Sequence, residues 1–333
     1  MVAGRLNVHL QEGAAEASSL TIQEHGRHFL VNSAQYLFPW DSVEAHRMDL
    51  FHKAVTLICS HGPSSSGLHS APLRLSHHLH ILDLGTGTGL WVVEMAEIPS
   101  NAKFQSLDIE THWQLGTASW DLIHIRCLNG VVRNWPSLYA TVHDHLIPDV
   151  GHIEHLEMDW TPLDGAGPHL TNWSRTLFSC MDSTGRSLRV DSDETAKALE
   201  EAGFIDVRTT RYYLPFARMP SKRQSPRQTA SFSTAFSTTS GTSLPSISGM
   251  SSPAGSNNYY DEEDNSNSDN DNNNSSKMAG AEVWFPRAFE QWLEGLTLMP
   301  MLRAGYSLEA IYRLLADVRQ ELEDPAVQAK CTM

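Results

Sequence analysis

The sequence predicts an α/β fold, a parallel sheet with helices on both faces. Two observations predict it. Between His80 and Trp160, short apolar runs alternate with amphipathic stretches, the pattern of strands joined by crossover helices. The strand "HILDLG" also runs straight into Gly85, Gly87 and Gly89 and then into "LWVVEMAE". That is the strand, glycine turn and helix order found where open sheets bind nucleotide-like ligands.

The elements follow in chain order. Residues 1–35 are polar with weak periodicity and read as a flexible N-terminal segment. "DSVEAHRMDLFHKAVTLI" reads as a helix, with Asp41 as N-cap and Glu44 three residues on in a capping-box arrangement. Its apolar stripe is Val43, Leu50, Phe51, Ala54, Val55 and Ile58. After a Ser/Gly/Pro loop come strand "HILDLG", helix "GLWVVEMAE", strand "AKFQSLD", strand "WDLIHIR", helix "NWPSLYATVHDHL" and strand "GHIEHLEMDW". Helices then follow around Leu170–Met181 and in "SDETAKALEEAGF", the second ended by Gly203. The strand-like "FIDVRTTRYYLPF" completes a first domain part over 36–218. Residues 219–280 are rich in Ser, Thr, Asn and Asp. They hold too little apolar surface to offset the entropy of ordering and read as a disordered insert. The domain resumes over 281–333 with "VWFPRAFEQWLEGLTL" and "SLEAIYRLLADVRQELED".

Bulk properties exclude several functions. The 333 residues carry a net charge of −15, of which the insert holds −2. So acidic a fold lacks the basic footprint of a nucleic-acid binder, and no direct nucleic-acid binding is expected. No apolar run approaches the ~18–20 residues of a membrane helix, so no membrane association is expected either. The four cysteines stand far apart with no CxxC, which points to neither a disulfide framework nor a zinc cage.

The stretch Asp83-Leu84-Gly85-Thr86-Gly87-Thr88-Gly89 has GxGxG spacing, not the GxGxxG of dinucleotide binders. Glycines there let backbone amides approach a ligand without Cβ contacts. An acid on the strand just before them repels a pyrophosphate and suits a ligand with an ammonium group. S-adenosylmethionine has such an amino-acid end, and Asp83 is placed to receive its amine. Gly85, Thr86, Gly87 and Gly89 complete that candidate cofactor site. A nicotinamide-dependent enzyme is the less favoured alternative.

Other side chains point less clearly to chemistry. His152 and His155 lie an odd number of residues apart on one strand and so face opposite ways. Glu154 and Glu157 approach a strand's carboxyl end, where a general base and a solvated strand end are equally compatible with the sequence. Methyl transfer to a soft nucleophile needs mainly alignment and desolvation, and no catalytic residue is singled out. Lys222, Arg223 and Arg227 beside Ser225-Pro226 form a short basic cluster of the kind found in nuclear-import signals.

"NAKFQSLDIETHWQLGTASWDLIHIR" resembles class I methyltransferases in layout: strand, Asp, about a dozen residues, then aromatic-Asp-Leu-Ile. "LEEAGFIDV" resembles a late helix-to-strand step of that fold. The resemblance implies that Asp108 and Ile109 lie along the adenine edge and that Arg126 lies near the methionine portion. A closer resemblance is carried by "YLFPWDSVEAHRMDLFH", "LHSAPL", "ILDLGTGTGLW", "SWDLIHIRCLNG", "GHIEHLEMDW" and "YRLLADVRQEL". Together and in order they resemble the fungal LaeA-like methyltransferases, nuclear regulators of secondary metabolism and development (sporulation included) that join the velvet complex. The resemblance implies S-adenosylmethionine as cofactor and velvet-family proteins as partners. It also implies a nuclear place, with the cytoplasm as a second one, and a protein acceptor such as the chain's own methionine.

Two departures from that family are legible. Only Ile98 separates the segments that normally flank a second strand ending in the ribose-binding acid, so that strand reads as deleted. Strand 104–108 is then expected to pair directly, in parallel, with strand 80–84. The family's final strand reads as absent after Met333. A methyltransferase-like sheet lacking these two strands leaves open a non-catalytic scaffold that binds velvet partners.

Overall fold

The computed structural model describes residues 2–3, 21–31, 36–60, 67–73, 78–96, 102–105, 107–163, 165–217 and 268–333. Of 2–3 and 268–280 it describes the backbone alone. Residues 219–267 of the polar insert and the junction at 97–101 lie outside the described residues.

Apolar strands flanked by helices form the expected α/β core, a parallel sheet with helices on both faces. Its strands are β1 (Val2–Ala3), β4 (Ile81–Leu84), β5 (Ala102–Lys103), β6 (Leu122–Arg126) and β7 (His152–Leu156), all in parallel pairs in the order β5-β1-β4-β6-β7. Strand side chains alternate between faces, and both faces of this sheet are covered. Ile81 and Leu122 pack with Trp91 and Val92 of α2 (Leu90–Ala96), whereas Leu82, Leu84, Ile123 and Ile125 pack with Leu138 and Val142 of α3 (Trp135–His145). The largest apolar cluster joins α1 (Ser42–Cys59), α4 (Pro168–Ser183), α6 (Ser268–Arg303) and α7 (Leu308–Glu323). α5 (Ser192–Glu201) packs on α3.

Local chemistry explains the helix starts. Asp41, Asn134, Asp191 and Ser307 each accept a backbone N–H of the first turn that follows, which satisfies a donor the helix cannot. Only half of the expected capping box forms, because the Glu44 carboxylate turns instead to Arg47.

Four expectations are corrected. Strand 104–108 does not pair with strand 80–84. The strand is Ala102–Lys103, and Val2–Ala3 lies between it and Ile81–Leu82, so the second-strand position is filled from the N-terminus. The C-terminal part over 281–333 is not made of helices alone either. β9 (Lys330–Thr332) pairs antiparallel with β8 (Tyr213–Pro215), and Thr332 bridges antiparallel to Asp159 just past β7. Residues 1–35 are not flexible throughout. β2 (Thr21–Glu24) and β3 (Arg27–Leu30) form a hairpin whose turn, His25 at φ 51° and Gly26 at φ 81°, matches the positive-φ turns that suit strand twist. Phe29 buries its ring in the core, and Arg27 grips Asp41 at 2.7 Å. Lastly, α6 begins at Ser268, inside the polar insert.

Candidate functional site

The carboxyl ends of β4, β6 and β7 open onto one cavity that is continuous with solvent, the position at which open parallel sheets hold ligands. One wall is Gly85 to Thr88. Another is Arg126 to Asn129 with Glu157. α1 and α6 face them with Glu44, Arg47, Met48, His52 and Trp292.

The turn after β4 requires its glycines. Gly85, Gly87 and Gly89 have φ of 74°, 58° and 82°, the left-handed region that side chains disfavour. A Cβ on Gly85 would stand 2.5 Å from Leu128 Cδ2, and one on Gly87 3.0 Å from Met48 Sδ. The backbone is therefore held open to close approach on the cavity side. Gly89, though part of the turn, backs onto Phe104 and does not line the cavity.

Of the other expected site residues, Thr86 and Arg126 reach the cavity wall while Asp83, Asp108 and Ile109 do not. Asp83 sits opposite His124 in the β4–β6 register, and its Oδ1 is 2.8 Å from His124 Nδ1. That imidazole in turn stacks on Trp91 at 4.0 Å. In-sheet pairing thus directs the carboxylate to a neighbouring strand rather than to a ligand. Asp108 is exposed and starts a turn, with Oδ1 accepting from Glu110 N at 3.0 Å. Ile109 is buried in the core beside Trp113.

Polar residues of α1 complete the site. Sequence reading missed them as site residues because they sit on a helix taken as structural. The available signal was charge within an apolar stripe: Glu44, Arg47 and His52 share the buried face with Phe51 and Val55. Arg47 donates to Glu44 Oε1 from Nε at 3.0 Å and Nη2 at 2.6 Å, and lies 3.9 Å from the Trp292 ring centre. Arg126 Nη1 donates to His52 Nδ1 at 3.2 Å, so His52 Nε2 carries the proton and donates to Glu94 Oε2 at 3.0 Å.

Burial, reinforced by the Arg126 charge, holds the His52 pKa below its ordinary value. The unfolded chain then binds that proton more readily, so the His52 contribution to stability is full above about pH 6.5 and declines as pH falls below it. The melting temperature of the protein should fall between pH 7.5 and 5.5 more steeply than that of a His52→Leu variant. Parallel slopes would remove His52 from the account.

Glu157 Oε1 accepts from Leu128 N at 2.7 Å, Asn129 N at 3.2 Å and His155 Nε2 at 3.1 Å, while Tyr139 Oη bonds His155 Nδ1 at 3.0 Å. This carboxylate orients the turn after β6 and brings negative charge to the cavity. Burial raises the Tyr139 and Cys127 pKa values, with Glu157 adding to both. Cys127 therefore presents a neutral thiol to the cavity.

No protein-family model matches the chain. It is 33% identical over 223 residues to the secondary metabolism regulator LAE1 of Pyricularia oryzae, a match covering 59% of this chain and 67% of that protein. It is 35% identical over 211 residues to the LAE1 of Cochliobolus heterostrophus, covering 56% and 67%. Against the laeA regulator of Gibberella zeae identity is 33% over 216 residues, covering 56% and 66%. Each match thus spans about two thirds of the relative. Among solved structures, a phosphoethanolamine N-methyltransferase of Haemonchus contortus aligns with 96% of this chain and 71% of its own, at 9% identity and a TM-score of 0.36. At that score the likeness carries no conclusion.

Proposed function

Because this chain belongs to the family of the secondary metabolism regulators LaeA and LAE1, we propose that it is an S-adenosylmethionine-dependent methyltransferase-fold regulator of transcription. The observation that carries the reading is the left-handed glycine turn, whose Gly85 and Gly87 line a cavity at the carboxyl ends of three parallel strands. The residues present fit the amino-acid end of the cofactor. Gly85 to Thr88 admit it without Cβ atoms at the two glycines, and Arg126, whose Nη1 is engaged by a neutral imidazole, offers its other N–H groups to a carboxylate. When bound, the cofactor supplies an electrophilic methyl group on a sulfonium. Trp160, Trp292 and Phe51 line the same cavity and would shield a bound methyl group from water, where alignment and desolvation are the main requirements.

Family membership supports the finer statements. The protein would act in the nucleus with velvet-family partners on secondary metabolism and development, with a protein acceptor, self-methylation on methionine being one form. One observation favours the scaffold alternative: Asp108 is exposed and lies outside the cavity lining, whose described carboxylates are Glu44 and Glu157 alone. A lost charge-assisted hydrogen bond weakens binding about ten- to a hundredfold, so weak binding is expected.

Calorimetry with S-adenosylhomocysteine, followed by isotopic methyl transfer to the protein itself or to a co-purified velvet protein, separates the readings. Binding with transfer supports the enzyme, and binding without transfer the scaffold. No heat up to millimolar ligand would sink the cofactor site itself.

A further inference from the structure

We propose that Glu44 and the aromatic residues beside it form a subsite for a primary ammonium group. The inference rests on the methyltransferase reading of the same cavity. Glu44 is 2% exposed, yet its Oε2 has no hydrogen-bond partner among the described residues while Oε1 takes both bonds from Arg47. A buried carboxylate oxygen without a donor is costly, and this residue lines the cavity. The other carboxylates near the site are committed elsewhere: Asp83 Oδ1 to His124, and Glu157 Oε1 to two backbone amides and His155.

The surroundings favour a cation over a neutral donor. Tyr36, Trp40 and Trp292 line the same cavity, and Tyr36 meets Trp40 edge to face with ring centres 6.0 Å apart. Aromatic faces attract ammonium ions, most strongly when water is excluded. Burial, and after it the Glu44 charge, raises the Tyr36 pKa, so Tyr36 stays a neutral ring within the carboxylate's field. The neighbouring cations are already held, Arg47 by Oε1 and Arg27 by Asp41.

An ammonium group reaches this cavity from two sources, the cofactor's α-amino end or a basic side chain of the acceptor, and two matched ligand pairs distinguish them. The first pair is S-adenosylhomocysteine and 5′-S-(3-carboxypropyl)thioadenosine, which lacks only the amine. The second, titrated with and without S-adenosylhomocysteine, is a pentapeptide with central lysine and its norleucine counterpart. The wild-type protein should prefer the ammonium-bearing member of one pair about tenfold or more. Glu44→Gln keeps an oxygen for Arg47 but places an amide donor at the Oε2 position, and should erase that preference. If Glu44→Gln does not fold, Glu44→Asp, which withdraws the charge by one methylene, should reduce it. A preference in the first pair identifies the cofactor as the source, and one in the second the acceptor. No wild-type preference in either pair, or one that survives in the folded variant, overturns the subsite. If neither adenosyl ligand binds at all, the methyltransferase reading fails instead, and the peptide pair still decides the subsite.

Discussion

Arginine at both Gly85 and Gly87 is expected to abolish S-adenosylhomocysteine binding while leaving a folded, though less stable, protein. Each residue would have to hold a left-handed backbone conformation, at φ 74° and 58°, which costs roughly 1–2 kcal/mol per residue. The new Cβ at position 85 would also displace Leu128, 2.5 Å from where it would stand, and that at position 87 would press on Met48 at 3.0 Å. The long side chains would then occupy the space through which backbone amides reach a ligand. Gly185→Arg is the matched control. It has φ 71°, none of the described residues lies within 4 Å of where its Cβ would stand, and it sits at the end of α4 away from the cavity lining. It should show the backbone cost in melting temperature without loss of binding. Equal binding in the double variant and the control would mean that the ligand does not use this turn.

Removing residues 329–333 should destabilise the protein by about 5 kcal/mol, at about 1 kcal/mol for each backbone hydrogen bond lost, or prevent folding. Ala329 and Cys331 are fully buried. Their segment accepts from Phe216 N, Leu163 N, Asp159 N and Tyr212 N, and returns a bond from Met333 N to Tyr212 O. Without it, β8 loses its partner and the 159–163 segment loses its acceptors. For a domain of this size that corresponds to a fall of roughly 10–20 °C in melting temperature. Urea unfolding is the direct measurement, and an unchanged midpoint would show that β9 contributes nothing to the fold.

Much of the fold was determined by the sequence alone, because the signals are local. Apolar runs at strand and helix period placed β4, β6, β7 and most helices, and Asp41 marked where the first of those helices begins. The glycine turn was legible because φ above zero is a property of single residues. The blocks carrying the family resemblance were legible for the same reason.

Tertiary structure decided what depends on pairing across the chain. A two-residue strand such as Val2–Ala3 has no period to read, so its place beside Ile81 is set by the exposed sheet edge it meets. β9 is legible only through Tyr213–Pro215, more than a hundred residues earlier. At the site, register gave Asp83 to His124, and the packing of α1 against the glycine turn brought in Glu44, Arg47 and His52. A carboxylate's residue type shows that it will seek donors. Which donors it finds, and that Glu44 Oε2 finds none among the described residues, follows from packing alone.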